Sequence, residues 1–248
     1  LHPFQRVTLV ADPHDLVLLG PGDDLEVVAQ RARLDDKAVI PGRLERGGQS
    51  AKYTLSGVVH GAHLAVDDLV AAHDVASERF ADMANYTGCP GYIVHLTCEG
   101  ALNAVRNATK RNQKIFVETC IQYLLLDASL YEKNFEGAKW VMSPPLREKK
   151  DQETLWAGIN QGLVQVVATD HCPFKWEQKL MGKDDFSKIP NGHPAIENRM
   201  ELLYSEGVNK GKITLNKYVE VACTNPAKIF GMFPRKGTIA IGSDADLV

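Results

Sequence analysis

Four short apolar runs constrain the fold of this chain more than any other feature: "GYIVHLTC" (91–98), "KIFVETC" (114–120), "AKWVMSPPLR" (138–147) and "LVQVVATD" (163–170). Each carries branched or aromatic residues at successive positions, so neither face is left for water. Between them lie segments with helical spacing. In "EGALNAVRNATKRN", Ala101, Val105 and Ala108 fall on one face and basic residues gather at the end. "TLWAGINQG" (154–162) reads as a helix closed by Gly162, and "IENRMELLYSEG" (196–207) as another ending in glycine. In "TNPAKIFG", Asn225 and Pro226 read as an N-cap and first helical residue. Strands buried on both faces and alternating with helices predict an α/β fold, with 91–98, 114–120, 138–143 and 164–170 as neighbouring parallel strands.

Polar chemistry collects where these runs stop: His95, Thr97 and Cys98; Glu118 and Thr119; Ser143; Asp170 and His171. In (β/α) barrels and doubly wound sheets the carboxyl ends of the strands carry the site. Neither GxGxxG nor GxxxxGK[ST] occurs, which argues against a nucleotide-binding version. By residue type alone, each of these groups also has a plain structural use. His95 can be a hydrogen-bonded strand-end histidine, Asp170 a loop or N-cap carboxylate, Ser143 a turn residue before Pro-Pro, and Asn191 a turn residue before Gly192. His171, next to Asp170, should point the other way. Glu118 reads as a structural acid and His193 as a loop histidine.

Composition changes near residue 80. Residues 1–80 contain no Asn, Cys or Trp and five of the eight His, with 8 basic and 12 acidic residues; residues 81–248 carry 20 and 19. The front segment shows two strand-like runs, "RVTLVA" and "DLVLLG", a short helical pattern in "LEVVAQRARL" and a loop in "ERGGQS". The net charge of −3 gives no pull toward nucleic acid or an anionic membrane. No apolar run approaches the roughly 18 residues of a membrane span, and no signal peptide opens the sequence. The five cysteines are odd in number and form no CxxC pair, so they read as free thiols of a cytoplasmic protein. The sequence does not begin with Met, and "GSDADLV" ends as though a strand were under way. It reads as a fragment at both ends.

Residues 81–248 resemble the C-terminal part of the cyclic amidohydrolases, the dihydropyrimidinase and hydantoinase family. The blocks that carry the likeness are "YIVHLTCEGAL", "ETCIQYLLLD", "KWVMSPPLR", "VVATDHCPF", "KIPNGHPAIENRM" and "TNPAKIFGMFPRKGTIAIGSDADLV". Ile121 departs from the family, which usually has Pro after "ETC". The resemblance implies the C-terminal part of a (β/α)8 TIM-type barrel over 81–240. It also implies that 241–248 begins a truncated return to a small β domain, and it leaves 1–80 unassigned. It further implies hydrolysis of the ring amide of dihydropyrimidines or hydantoins at a binuclear metal centre, usually zinc, in a cytoplasmic homotetramer of pyrimidine degradation. Such a centre polarises an amide carbonyl and activates water at neutral pH. By this likeness His95 is a metal ligand, and Asp170 is both a metal ligand and the general base. Ser143 and Asn191 would contact the cyclic imide, largely through the main chain, all four lining one mouth of the sheet.

The family pattern is incomplete at the front. It places a His-x-His pair on the first barrel strand, a carboxylated Lys on the fourth and a His on the fifth. Residues 1–80 offer "DPHD" around His14, with Leu16 where a second His would fall, and "VVHGAH", with His60 and His63 one residue too far apart. Lys37 and Lys52 lie outside the family context. A βα repeat takes roughly 30 residues, so the front holds two or three units, not five. The open sheet edge left by the missing units calls for a cover, either another chain or an unusual fold of the front segment. The alternative function is a non-catalytic dihydropyrimidinase-related scaffold lacking most metal ligands. The partners expected are a small cyclic amide or imide and further copies of the chain, with no nucleic acid and no membrane.

Overall fold

The computed structural model describes residues 9–12, 15–17 and 73–247. Strands β1 (Leu9–Asp12), β2 (Asp15–Val17), β3 (Gly91–Ile93), β4 (Ile115–Cys120) and β5 (Val166–Ala168) form one sheet in the order β2-β1-β3-β4-β5. The pairs β1–β3, β3–β4 and β4–β5 are parallel, and β1–β2 is antiparallel. Three of the expected neighbouring parallel strands therefore stand as β3, β4 and β5. Their registers, Tyr92 against Phe116 and Thr119 against Val167, keep Val117 and Val167 in the core. The strand runs read in "RVTLVA" and "DLVLLG" are β1 and β2. The patterns in "LEVVAQRARL" and "ERGGQS" lie outside the described residues. β1 pairs with the edge of β3, so of the two covers considered for that edge, another chain or the front segment, the front segment supplies a strand.

The expected strand at 138–143 does not form. Residues Asn134–Trp140 make 3-10 turns, Val141 is extended, and the chain then passes through a cis Ser143–Pro144 bond. The 3-10 turns take up the first residues of the run, and Pro144 and Pro145, which have no N–H to donate, stop any extension past Ser143, so only "WVM" remains. Met142 is buried all the same.

The helices cover the sheet. α1, described over 73–87, turns His73, Ser77, Phe80, Ala81 and Ala84 inward at helical spacing. α2 (Glu99–Lys110) buries Ala101, Leu102, Ala104, Val105 and Ala108. α3 (Ile121–Leu125) follows β4 directly. α4 (Lys149–Asn160) begins five residues before the apolar pattern at 154 and buries Leu155, Trp156 and Ile159. Gly162 takes φ +75° just past it, as its capping role requires. α5 is a single turn, Trp176–Lys179. α6 (Arg199–Leu202) runs on into a π turn, Leu203–Val208, that ends one residue past Gly207.

Asn225 is not an N-cap. α7 (Leu215–Val219), a π turn (Glu220–Thr224) and α8 (Asn225–Ile229) form one continuous helical run, and Asn225 has helical angles. The wide turn just before Pro226 accommodates a residue that cannot donate an N–H. The N-terminal cap of the run is Thr214, whose hydroxyl accepts the Lys217 N–H at 3.1 Å. Residues 241–247 form no strand, contrary to the reading of "GSDADLV", and Leu247 is 70% exposed.

Candidate active site

Because β3, β4 and β5 run the same way, their carboxyl ends share one edge of the sheet. His95 lies two residues beyond β3 and Asp170 two beyond β5, with the end of β4 between them. Both take left-handed backbone angles, φ +38° and +46°. Neither is a glycine, so each turn is held in a sparsely populated conformation by its surroundings.

The holding groups are visible at His95. The Glu118 carboxylate on β4 accepts the His95 main-chain N–H, and it also accepts the Tyr92 hydroxyl at 2.8 Å. The Leu96 N–H donates to the Glu118 carbonyl at 2.7 Å, and the Thr119 hydroxyl returns a bond to the Leu96 carbonyl at 2.7 Å. Arg147 Nε donates to the Thr97 hydroxyl at 3.0 Å. The turn after β3 is thus fastened to β4 on several atoms, and His95 is only 7% exposed. Burial raises the Glu118 pKa, and the charge of Asp170 adds to the effect against the bonds from Tyr92 and His95. Glu118 is in this sense the structural acid read from the sequence.

Asp170 is exposed, yet its charge acts on Glu118, Cys120 and Tyr123, so it faces the end of β4. Arg199 lies on the same side. Its guanidinium donates to the Val167 carbonyl at 2.8 Å, and its positive charge works against the burial that raises the Glu118 and Cys120 pKa values. The next residue, His171, turns its Nδ1 to the main-chain N–H groups of Ala195 (3.1 Å) and Ile196 (3.2 Å). That gives the ring a structural task. His193 stacks on Trp140 with centroids 5.6 Å apart. Its pKa is lowered by burial first and then by the charges of Lys179 and His171.

Ser143 is half-buried and Asn191 is exposed. Their segments meet: the Gly192 N–H donates to the Val141 carbonyl at 3.0 Å. The Tyr123 hydroxyl donates to the Pro144 carbonyl at 2.7 Å and anchors the far side of Ser143. Sequence reasoning missed Lys179, which donates to the carbonyls of Val141, Pro190 and Gly192. No local pattern in "KWEQK" announces it.

Among the described residues, no three of His, Cys, Asp and Glu are grouped so as to hold a metal ion. His95 and Asp170 are two donors of suitable chemistry, while a catalytic zinc takes three protein ligands and a water. The described residues therefore do not make up a complete metal site. Of the other histidines weighed from the sequence, His14, His60 and His63 lie outside them, and His73 is buried on α1.

Parallel strands with helices on them and polar residues gathered past the strand ends are the arrangement of α/β proteins, barrels and doubly wound sheets alike. The chain belongs to the amidohydrolase family, whose model matches residues 54–248. The match begins upstream of the composition change near residue 80. The chain is 50% identical over 175 residues to the D-hydantoinase of Geobacillus stearothermophilus, covering 70% of this chain and 37% of that protein. Among solved structures, the D-hydantoinase (dihydropyrimidinase) from Thermus sp. aligns with a TM-score of 0.69 at 49% identity, over 71% of this chain and 38% of that one. The dihydropyrimidinase from Brevibacillus agri aligns with a TM-score of 0.70 at 44% identity, over 77% and 44%. The chain thus spans about two fifths of the length of these relatives. β3, β4 and β5 with the helices of the matched segment are the C-terminal part of the family's TIM-type barrel; β1 and β2 lie outside the match. Among the described residues no helix is long and apolar enough to cross a membrane.

Proposed function

We propose that this chain carries part of the active site of a metal-dependent hydrolase that opens the ring amide of hydantoins or dihydropyrimidines. The observation that carries the reading is the likeness to D-hydantoinases, at 50% identity, across the segment that contains His95, Ser143, Asp170 and Asn191. In this proposal His95 and Asp170 are two ligands of a zinc centre whose remaining ligands are not among the described residues. β3 and β5 stand two strands apart, roughly 10 Å between axes, a gap two side chains can close in front of β4. The Asp170 carboxylate also takes a proton from the attacking water and passes it to the leaving ring nitrogen. A cyclic imide presents C=O, N–H and C=O in one plane, and main-chain groups around Ser143 and Asn191 supply the complementary donors and acceptors.

Zinc as the metal, assembly into a homotetramer, cytoplasmic residence and a place in pyrimidine degradation belong to the same proposal and rest on the relatives. So does the division into a front segment 1–80, a barrel part 81–240 and a return toward a small β domain at 241–248. The second reading, a non-catalytic scaffold, is favoured by one observation: two ligand candidates, not three or more, among the described residues. A chimera separates the two. Residues 81–248 of this chain replace the matching segment of the Geobacillus stearothermophilus D-hydantoinase, and hydantoin opening is followed. Activity that is retained, and then lost on His95→Ala or Asp170→Asn, is expected. A chimera that folds, binds zinc and does not turn over hydantoin supports the scaffold.

A further inference from the structure

Lys179 is 3% exposed, an uncommon place for a lysine. Its ammonium makes three hydrogen bonds, all to main-chain carbonyls: Val141 at 2.8 Å, Pro190 at 2.6 Å and Gly192 at 3.1 Å. An ammonium has three donors, so all three are used. The geometry of the acceptors is the telling part. Val141 stands two residues before Ser143, while Pro190 and Gly192 stand on either side of Asn191. The Val141 carbonyl also accepts the Gly192 N–H, so one oxygen is shared by the lysine and the partner segment. The same ammonium lies 5.4 Å from the centre of the Phe174 ring, on the chain that leaves Asp170.

The rest of this corner has no slack. A Cβ at Gly192 would fall 2.2 Å from the Cys172 carbonyl oxygen and 2.8 Å from the Phe174 ring. The Cys172 N–H donates to the His193 carbonyl at 3.2 Å. Three separate stretches, 141–143, 172–174 and 190–193, therefore converge on one buried cation. Burying an unpaired charge costs more than any one of these bonds returns. A neutral apolar side chain would fill the space, but it would take this donor from the Pro190 and Gly192 carbonyls, leave the Val141 carbonyl with only the Gly192 N–H, and leave the segments without a common point.

We propose that Lys179 is a positioning residue that sets the spacing between the Ser143 and Asn191 segments, and through it the width of the slot that receives a planar cyclic imide. The slot rests on the functional reading above; the spacing does not. A wider or looser slot lowers affinity for the ring without touching the groups that carry the reaction.

The test compares the 248-residue chain with its Lys179→Met and Lys179→Gln variants by amide hydrogen exchange, with and without hydantoin. In Lys179→Met, exchange at Gly192 and over 141–143 rises by about tenfold or more, while amides of Ile115–Cys120 stay within about twofold of the parent. The hydantoin concentration that half-protects the two segments rises by about tenfold. Lys179→Gln keeps two donors and falls between the two, and it carries the test if Lys179→Met does not fold. Exchange that rises as much in 115–120 as in the loops makes Lys179 a general packing residue and overturns the proposal, as does no change in the loops. If hydantoin protects nothing in the parent chain, the reading of Ser143 and Asn191 as imide contacts fails, and the exchange rates without ligand still decide the role of Lys179.

Discussion

At Gly192 the space for a side chain is already taken. A methyl group there meets the Cys172 carbonyl oxygen at 2.2 Å and the Phe174 ring at 2.8 Å, and main-chain atoms cannot swing aside as a side chain can. Gly192→Ala should cost about 1–3 kcal/mol, as overpacking in a tight site does, with calorimetric melting as the measurement. Lys179 makes a prediction in pH. Burial lowers its pKa from 10.5 to about 8, with Cys172 and His193 as the titratable groups facing it. Between those two values the unfolded chain holds the proton and the folded chain does not. The unfolded state therefore binds more protons, and the stability contributed by this group rises with pH from about 8 toward 10.5. The melting temperature of the parent relative to Lys179→Met should climb between pH 8 and pH 10, measured in parallel scans so that titrations common to both cancel. The sequence made His95 and Asp170 visible because each interrupts or ends an apolar run. Lys179 stayed hidden because its carbonyl partners lie 38, 11 and 13 residues away, and nothing local marks a lysine that will be buried.

α2 illustrates the same contrast among elements. Its apolar face was plain from the spacing of Ala101, Val105 and Ala108, but its N-terminus was not. Cys98, at the cap position, makes no capping bond; the Asp151 carboxylate on α4 accepts the Glu99 N–H at 2.9 Å in its place. This borrowed cap ties α2, which packs on β4, to α4. Asp151→Ala should destabilise the protein by about 1–2 kcal/mol, as loss of a helix cap does, and Asp151→Asn by less. Urea unfolding followed by circular dichroism measures both. The strands read correctly were those whose apolar runs are uninterrupted by proline. The run at 138–143 misled because its apolar character was legible while the 3-10 turns over Asn134–Trp140, which occupy its first residues, were not. Asn225-Pro226 misled in the opposite way: a good local start signal sits inside a helix that began at Leu215, where Thr214 had already capped it.

The whole molecule sets the limit on what this chain can do alone. It covers about two fifths of its relatives, and β1 pairs with β3 at the edge where further barrel strands would follow. That pairing gives the sheet a neighbour; it does not by itself bring metal ligands to the mouth. In the reading proposed above, His95 and Asp170 fill two of the six ligand positions that the resemblance implies, and the histidines of the front segment have neither the spacing nor the sequence surroundings of the other four. A binuclear centre loses both carbonyl polarisation and water activation when its ligand set is broken, and the supporting groups around each ligand would have to be rebuilt as well. The purified 248-residue chain, supplied with zinc, is therefore expected to open hydantoin or dihydrouracil near the uncatalysed rate, a deficit of many orders of magnitude rather than a modest loss. Zinc retained through gel filtration should fall well short of two per chain. Product formation and bound zinc measured on the same preparation decide the matter. Robust turnover that vanishes on His95→Ala would mean that the front segment completes the site with ligands from its own histidines.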